Sequence, residues 1–380
     1  MQEKSENRSA ASDPESQRGA GPVASDPVSE PPIRWSTYPN AYPRDLAGRI
    51  ERHTIVSELL ADNPLGDPAE RPVEVYVPPG YDDDPERRYP SVYVIQGYTG
   101  AVPMWHNRAP FRPTYPEAAD ALFAAGGAPP CVLVLVDAWT AYGGSQFVDS
   151  PGTGRYHSYL CDEVVPFVDA RYRTLASAAH RGISGKSSGG FGAMITPMLR
   201  PDLFGGLASH AGDALYELCY IPGFGKVVRA LRAYDGSYER FWEDFASRPP
   251  MSKDTDGDLV ITYGVAAAFS AEEDSTVRLP FDLGTGRLVD DVWARWLAWD
   301  PVRMVPMHAE ALRSLRAIYL DGGTRDEWYL DLGALAFRDA LAEVGVTDVA
   351  CELFEAAHGG IDYRYPRGLA YLAERLASPA

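Results

Sequence analysis

The chain has 380 residues, 45% of them hydrophobic and 23% charged, enough for one large α/β domain with an insertion or for two domains. A formal net charge of −18 argues against nucleic acid and anionic membranes as partners, because both carry phosphates that would be repelled. No apolar run reaches the length of a membrane span, and residues 1–31 lack the apolar stretch of a secretion signal, so a cytoplasmic protein is expected. Cys131, Cys161, Cys219 and Cys351 show neither C-x-x-C nor metal-ligand spacing, so free thiols, no metal and no cofactor are expected.

Residues 1–32 are rich in Ser, Ala, Pro, Gly, Glu and Asp. Such a segment buries too little apolar surface to offset its ordering entropy, and a disordered tail is expected, extended here over 1–45. His53–Leu60 and Pro72–Val77 read as the first strands, the second alternating at its start as an edge hairpin would. Ser91–Ile95 reads as a buried strand leading into the glycine-bearing loop Gln96-Gly97-Tyr98-Thr99-Gly100. Pro116–Ala125 reads as a helix with proline in its first turn. The unbroken apolar run Cys131–Val136 suggests a strand buried on both faces. A long loop, Ala138–Gly154, follows and is expected to form a site wall. Tyr156–Thr174 reads as an amphipathic helix interrupted at Pro166.

The next stretch is His180-Arg181-Gly182-Ile183-Ser184-Gly185-Lys186-Ser187-Ser188-Gly189-Gly190-Phe191-Gly192. Gly185-x-Ser187-x-Gly189 is the pattern of a strand that turns sharply at a serine and enters a helix, here expected to bend or end near Pro197. Only very small residues fit two positions either side of such a turn. Ser184 and Ser188 each have glycine at only one of the two flanking positions, which favours Ser187 as nucleophile. The helix N-terminus beneath it would aim backbone N–H groups at developing negative charge. One oxyanion donor is then the N–H of Ser188. The other falls in the loop after the earlier strand, with Tyr98 the candidate and Gly97 and Thr99 its neighbours.

Gly206–His210 reads as a further short strand, and from 213 to 307 the pattern changes to mixed aromatics and charges on helices. This is expected to be a cap inserted into the core. The core then comprises 46–212 and 308–380. Tyr216, Tyr220, Tyr234, Trp242, Trp293 and Trp296 read first as packing within that cap. Asp254-Thr255-Asp256-Gly257-Asp258 resembles the start of a calcium loop, but Leu259 and Val265 stand where such a loop has Gly and Glu, so a solvated turn is expected. Arg316–Asp321 resumes the strands, Leu332–Val344 is a helix, Asp348–Phe354 is the last strand, and Tyr363–Leu376 is the last helix. Alternation of strands and helices predicts an α/β fold, a mostly parallel sheet with helices on both faces.

Sites in such sheets form beyond the carboxyl ends of the strands. Ser187, Asp326 and His358 fall there in the chain order of a Ser-Asp/Glu-His hydrolase triad. His358 alone among the seven histidines follows the last strand closely. Asp326 is preferred as its carboxylate over Asp321, Glu327 and Asp213. Serine needs a neutral imidazole to take its proton, and the carboxylate sets the imidazole tautomer.

These residues resemble the esterase D-like branch of the α/β-hydrolases, which includes S-formylglutathione hydrolases, feruloyl esterases and mycolyltransferases. The resemblance is carried by Val75-Tyr76-Val77-Pro78-Pro79-Gly80-Tyr81, by Tyr89-Pro90-Ser91-Val92-Tyr93-Val94-Ile95-Gln96-Gly97, by Ser145–Ser150, by Gly185–Gly190, by Pro201–Gly205 and by Leu320–Asp326. It implies an α/β-hydrolase fold, Ser187 as nucleophile, Asp326 as acid, His358 as base, and Ser188 and Tyr98 as oxyanion donors. Gln96 and Ser188 depart from the histidine and methionine usual in that branch. The expected activity is serine carboxylic-ester hydrolysis of a small-molecule ester through an acyl-enzyme. The alternatives are acyl transfer to a sugar or other alcohol, and a catalytically silent scaffold used for binding.

Overall fold

A computed structural model describes residues 43–377. The tail expected over 1–45 lies almost wholly outside the described residues. Eight strands form one sheet: β1 (Arg49–Val56), β2 (Glu70–Val77), β3 (Ser91–Ile95), β4 (Val132–Val136), β5 (Arg181–Ser187), β6 (Gly206–Gly212), β7 (Ala317–Gly323) and β8 (Ala350–Phe354). Their order across the sheet is β1-β2-β4-β3-β5-β6-β7-β8. β1 pairs antiparallel with β2, and β2 antiparallel with β4; every later pairing is parallel.

Side-chain pattern explains this order. Every residue of β3 and β4 is buried, as a strand covered on both faces requires. β1 is mostly exposed or half-exposed and lies at the edge. It starts at Arg49, four residues before the first predicted strand, because its pairing with β2 runs from Arg49–Val77 to Val56–Glu70. The turn that ends it then takes up Leu59 and Leu60.

Helices cover the sheet. α1 (Tyr115–Ala124) opens with a capping box in which the Thr114 side chain accepts the Glu117 N–H and the Glu117 carboxylate accepts the Thr114 N–H. α2 (Ser188–Leu199) follows β5 without a linker, and its chain continues two residues past Pro197. The predicted helix over Tyr156–Thr174 is instead three pieces. A short turn leads into a π-helical stretch, Tyr159–Val164, and a regular helix, Val165–Arg171, has Pro166 in its first turn. The backbone is helical on both sides of the junction, and the π-helical irregularity falls in the turn just before Pro166, where the proline ring and its missing N–H disturb the preceding carbonyls.

Between β6 and β7 stand α3 (Ile221–Leu231), α4 (Tyr238–Ser247), α5 (Asp256–Ser270) and α6 (Asp290–Leu297). Their aromatic residues pack among themselves. Phe224 makes ring contacts with Phe281, Trp293 and Trp296, and the buried Trp296 Nε1–H donates to Ser270 Oγ at 2.9 Å. The solvated turn expected at Asp254–Asp258 is corrected at Asp256. That carboxylate is fully buried, receives both Nη groups of Arg248 at 2.6 and 2.7 Å, and accepts the Lys253 N–H at 3.0 Å. The aspartate-rich turn is thus an arginine-clamped helix start, which explains its composition without a bound cation. The four cysteines are free thiols. Among the described residues no helix is long and apolar enough to cross a membrane. The last two helices are α7 (Leu330–Glu343) and α8 (Tyr365–Ala377).

Candidate active site

The strand register assembles the site. Ile95, the last residue of β3, pairs with Gly185 of β5. The residues beyond, Gln96-Gly97 and Lys186-Ser187, therefore leave the sheet side by side. A Cβ on Gly97 would lie 3.1 Å from the Lys186 carbonyl oxygen and 3.5 Å from Ser187 Cβ. On the other side, Phe354 pairs with Gly323 at the ends of β8 and β7. The loops that follow are stitched by Thr324 N–H to Phe354 O at 2.8 Å and Arg325 N–H to Ala356 O at 2.9 Å. That stitching carries Asp326 and His358 together.

Ser187 sits between β5 and α2 with φ 58° and ψ −126°, a region few non-glycine residues occupy. Holding it there costs about 1–3 kcal/mol, which the surrounding backbone must overcome. Close backbone approach demands glycine on both sides. A Cβ on Gly185 would meet the backbone of Gly189 and lie 2.8 Å from Ile95 O; one on Gly189 would lie 2.5 Å from Ile95 O and 2.7 Å from Gln96 O. Gly189→Ala is accordingly expected to lose about 3 kcal/mol of stability by overpacking. A urea titration checks this, and an unchanged midpoint would contradict the backbone clash.

The catalytic candidates are in hydrogen-bond reach. Ser187 Oγ lies 3.1 Å from His358 Nε2, and His358 Nδ1 lies 2.8 Å from Asp326 Oδ2. Asp326 is buried, and its other oxygen accepts the Trp328 N–H at 2.8 Å, which fixes the carboxylate plane. Glu327 also takes part: it accepts the His358 backbone N–H at 3.0 Å and so holds the loop rather than the imidazole. Asp321 is engaged elsewhere, with His210 Nδ1 at 3.0 Å, Arg364 Nε at 2.9 Å and the Tyr319 hydroxyl at 3.1 Å. Burial alone would raise its carboxyl, but His210 and Arg364 pull it below its ordinary range.

Asp213, the remaining competitor, lies under the turn. Its Oδ2 accepts the Tyr220 hydroxyl at 2.9 Å and the Ser188 hydroxyl at 3.3 Å, and its N–H reaches Ser187 O at 3.4 Å. Sequence reasoning weighed it only as a triad member; the signal for its actual place was the hydroxyl of Ser188 where the resemblance has methionine. Burial pushes its carboxyl above the usual range. A raised folded value means that the native state holds the proton longer than the unfolded chain. Stability therefore falls as pH rises from the ordinary carboxylate value of about 4 through the folded one. Asp213→Asn, whose amide oxygen can accept the same two hydroxyls, is expected to remove that decline. Parallel melts across pH 4–8 check it; identical pH profiles would count against a buried, proton-holding Asp213.

Tyr98 and Ser188 border a cavity of about 10 Å³ together with Gly97 and with Gln146 and Phe147 of the Ala138–Gly154 loop. Ser188 is the first residue of α2, where a backbone N–H has no intrahelical acceptor. The Tyr98 ring is pinned by its hydroxyl, which donates to Tyr142 O at 2.5 Å and reaches Val260 O of α5 at 3.2 Å. α5 also accepts the Ser150 hydroxyl, through Ala267 O at 2.6 Å. Among the described residues no group of three or more His, Cys, Asp or Glu side chains is placed to hold a metal ion.

This sheet, with a strained serine at a strand-to-helix turn, defines a serine esterase of the α/β-hydrolase fold. The chain belongs to the family described as "Putative esterase", whose model matches residues 68–343. A curated endo-1,4-beta-xylanase/feruloyl esterase of Xylanibacter ruminicola is 26% identical over 174 residues, 43% of this chain and 22% of that protein. The chain thus spans about a fifth of that relative's length. Among solved structures, a ferulic acid esterase is similar at TM-score 0.56 and 18% identity, over 87% of this chain and 99% of that one. An S-formylglutathione hydrolase from Agrobacterium tumefaciens is similar at TM-score 0.52 and 17% identity, over 88% and 98%. At these identities the two structures are likenesses of fold.

Proposed function

We propose that the protein hydrolyses a small-molecule carboxylic ester through an acyl-enzyme on Ser187. The observation that carries this reading is the unbroken relay from Ser187 Oγ to His358 Nε2 at 3.1 Å and from His358 Nδ1 to Asp326 at 2.8 Å. Ser187 Oγ bonds to the ester carbonyl carbon while its proton passes to His358 Nε2. The Tyr98 and Ser188 N–H groups receive the oxyanion. Collapse expels the alkoxide, which takes the proton from His358, and water repeats the sequence to free the acid. Asp326 keeps the imidazole proton on Nδ1 and stabilises the imidazolium. Residues 213–307 act as a cap, since α5 of that segment is bonded to the Tyr98 and Ser150 loops. No observation favours acyl transfer or a silent scaffold over this reading.

The test is a fluorophosphonate probe with peptide mapping, run beside turnover of p-nitrophenyl esters of increasing chain length. Label on Ser187 together with turnover is expected. A folded protein that neither reacts nor turns over would sink the proposal.

A further inference from the structure

A cavity of about 540 Å³ lies between the segment before α1 and the loop after His358. Its volume is that of a small-molecule site. Gly360 lines it, and two residues of chain span at most about 7 Å, so its wall adjoins the His358 loop. Ser187 is not among its lining residues.

The floor is aromatic. Trp105, Tyr115 and Tyr365 form a mutual cluster with all three centroid separations at 5.3 Å. Two polar atoms of that cluster, Trp105 Nε1 and the Tyr115 hydroxyl, have no hydrogen-bond partner among the described residues and lie just beneath the floor, where a small side-chain shift would expose them to a ligand. Their side chains belong to residues only 4% and 8% exposed. Buried donors are normally paired, and each left unpaired carries a desolvation cost. At the mouth stands Arg112, whose guanidinium has no hydrogen bond or ion pair among the described residues and approaches Gly360. The other lining arginine, Arg108, is already committed to Glu117. Phe111 lies beside Arg112 on the rim, 74% exposed and held at φ 64°. A bulky residue kept in left-handed backbone with its ring in solvent is a strained feature of the kind that clusters at ligand sites.

Flat aromatic walls, an indole N–H, a tyrosine hydroxyl and an unpaired guanidinium suit one chemistry, a ring that bears an anionic, acceptor-rich group. Arg112 is set there against one lining carboxylate, Asp362. We propose that this cavity takes the alcohol part of the ester and that this part is a flat ring carrying a carboxylate or similar anion. The placement rests on the reading of His358 as the group that protonates the leaving alkoxide: a cavity against the His358 loop is on the leaving side.

The probe is 4-hydroxybenzoate, titrated calorimetrically into the full-length chain. Saturable binding is expected, equal in wild type and Ser187→Ala, and weaker for the neutral methyl 4-hydroxybenzoate. Arg112→Ala should weaken it about tenfold, the loss of one charge-assisted contact. Tyr115→Phe should weaken it several-fold without lowering the melting temperature, because the hydroxyl removed has no partner within the protein. 4-Hydroxybenzoate should also inhibit p-nitrophenyl acetate hydrolysis competitively. In turnover, Arg112→Ala should cut the preference for 4-acetoxybenzoate over its methyl ester about tenfold.

No saturable binding, or binding untouched by both variants, would overturn the site. Binding without competitive inhibition would overturn its assignment to the alcohol. Turnover that survives Ser187→Ala would instead defeat the acyl-enzyme reading while the binding data stood, so the two failures are distinguishable.

Discussion

Ser187→Ala is expected to remove ester turnover by roughly 10⁶-fold, the scale on which loss of a triad nucleophile acts. The substitution deletes one hydroxyl at a position whose backbone is already held at φ 58°, so the turn should persist and the fold with it. Circular dichroism and the melting temperature should match wild type while the fluorophosphonate label disappears. In the proposed mechanism Ser187 and His358, 3.1 Å apart, act on one proton, so His358→Ala added to Ser187→Ala should cost little more than either alone. Additive losses would show that the two side chains do not work as a unit. Turnover within tenfold of wild type would remove Ser187 from the mechanism.

Asp326→Asn should lower turnover by roughly 10⁴-fold, through the tautomer of His358. The reason lies in the second bond of Asp326. Its Oδ1 accepts the Trp328 N–H at 2.8 Å, and an asparagine must keep its carbonyl oxygen there. The amide NH₂ then faces His358 Nδ1, in the place of the oxygen now 2.8 Å away. An imidazole that accepts at Nδ1 carries its proton on Nε2, where it can only donate to Ser187 Oγ and cannot take the proton from it. The loss should fall on kcat, with the fold intact. If Asp326→Asn were nearly as active as wild type while Asp213→Asn were not, the acid would have to be reassigned to Asp213.

Much of this was legible in the residue order. β3 and β4 announce themselves as short apolar-rich runs, because strands covered on both faces carry charge only where it is paired, and β5 as a run of small residues whose buried charge, Arg181, is paired with Asp169. The helix over Tyr156–Thr174 was legible too: it runs to Arg171, and its interruption is the π-helical turn just before Pro166, because proline disturbs the turn that precedes it. Asp256 was misjudged because an aspartate-rich turn resembles a solvated one until Arg248, eight residues earlier, folds back on it.

What the sequence by itself determined is local. Glycines at 185 and 189 allow the turn because any Cβ there meets backbone, and Ser187 is the serine they flank on both sides. The order Ser187, Asp326, His358 sets which groups can meet at the carboxyl ends of the strands. Tertiary structure alone decided among four acids. It buried Asp321 between His210 and Arg364, gave Asp213 to Ser188 and Tyr220, turned Glu327 to the His358 backbone, and left Asp326 facing the imidazole. It also placed two unpaired donors and Arg112 around one cavity beside that loop. The physical reason is the same in each case. Composition and spacing specify what a residue can do within a turn or two of its own chain. Which partner it meets beyond that, from a few residues away for Asp213 and Tyr220 to more than a hundred for His210 and Asp321, is set by tertiary packing and strand register, and here that register runs through Ile95–Gly185 and Phe354–Gly323.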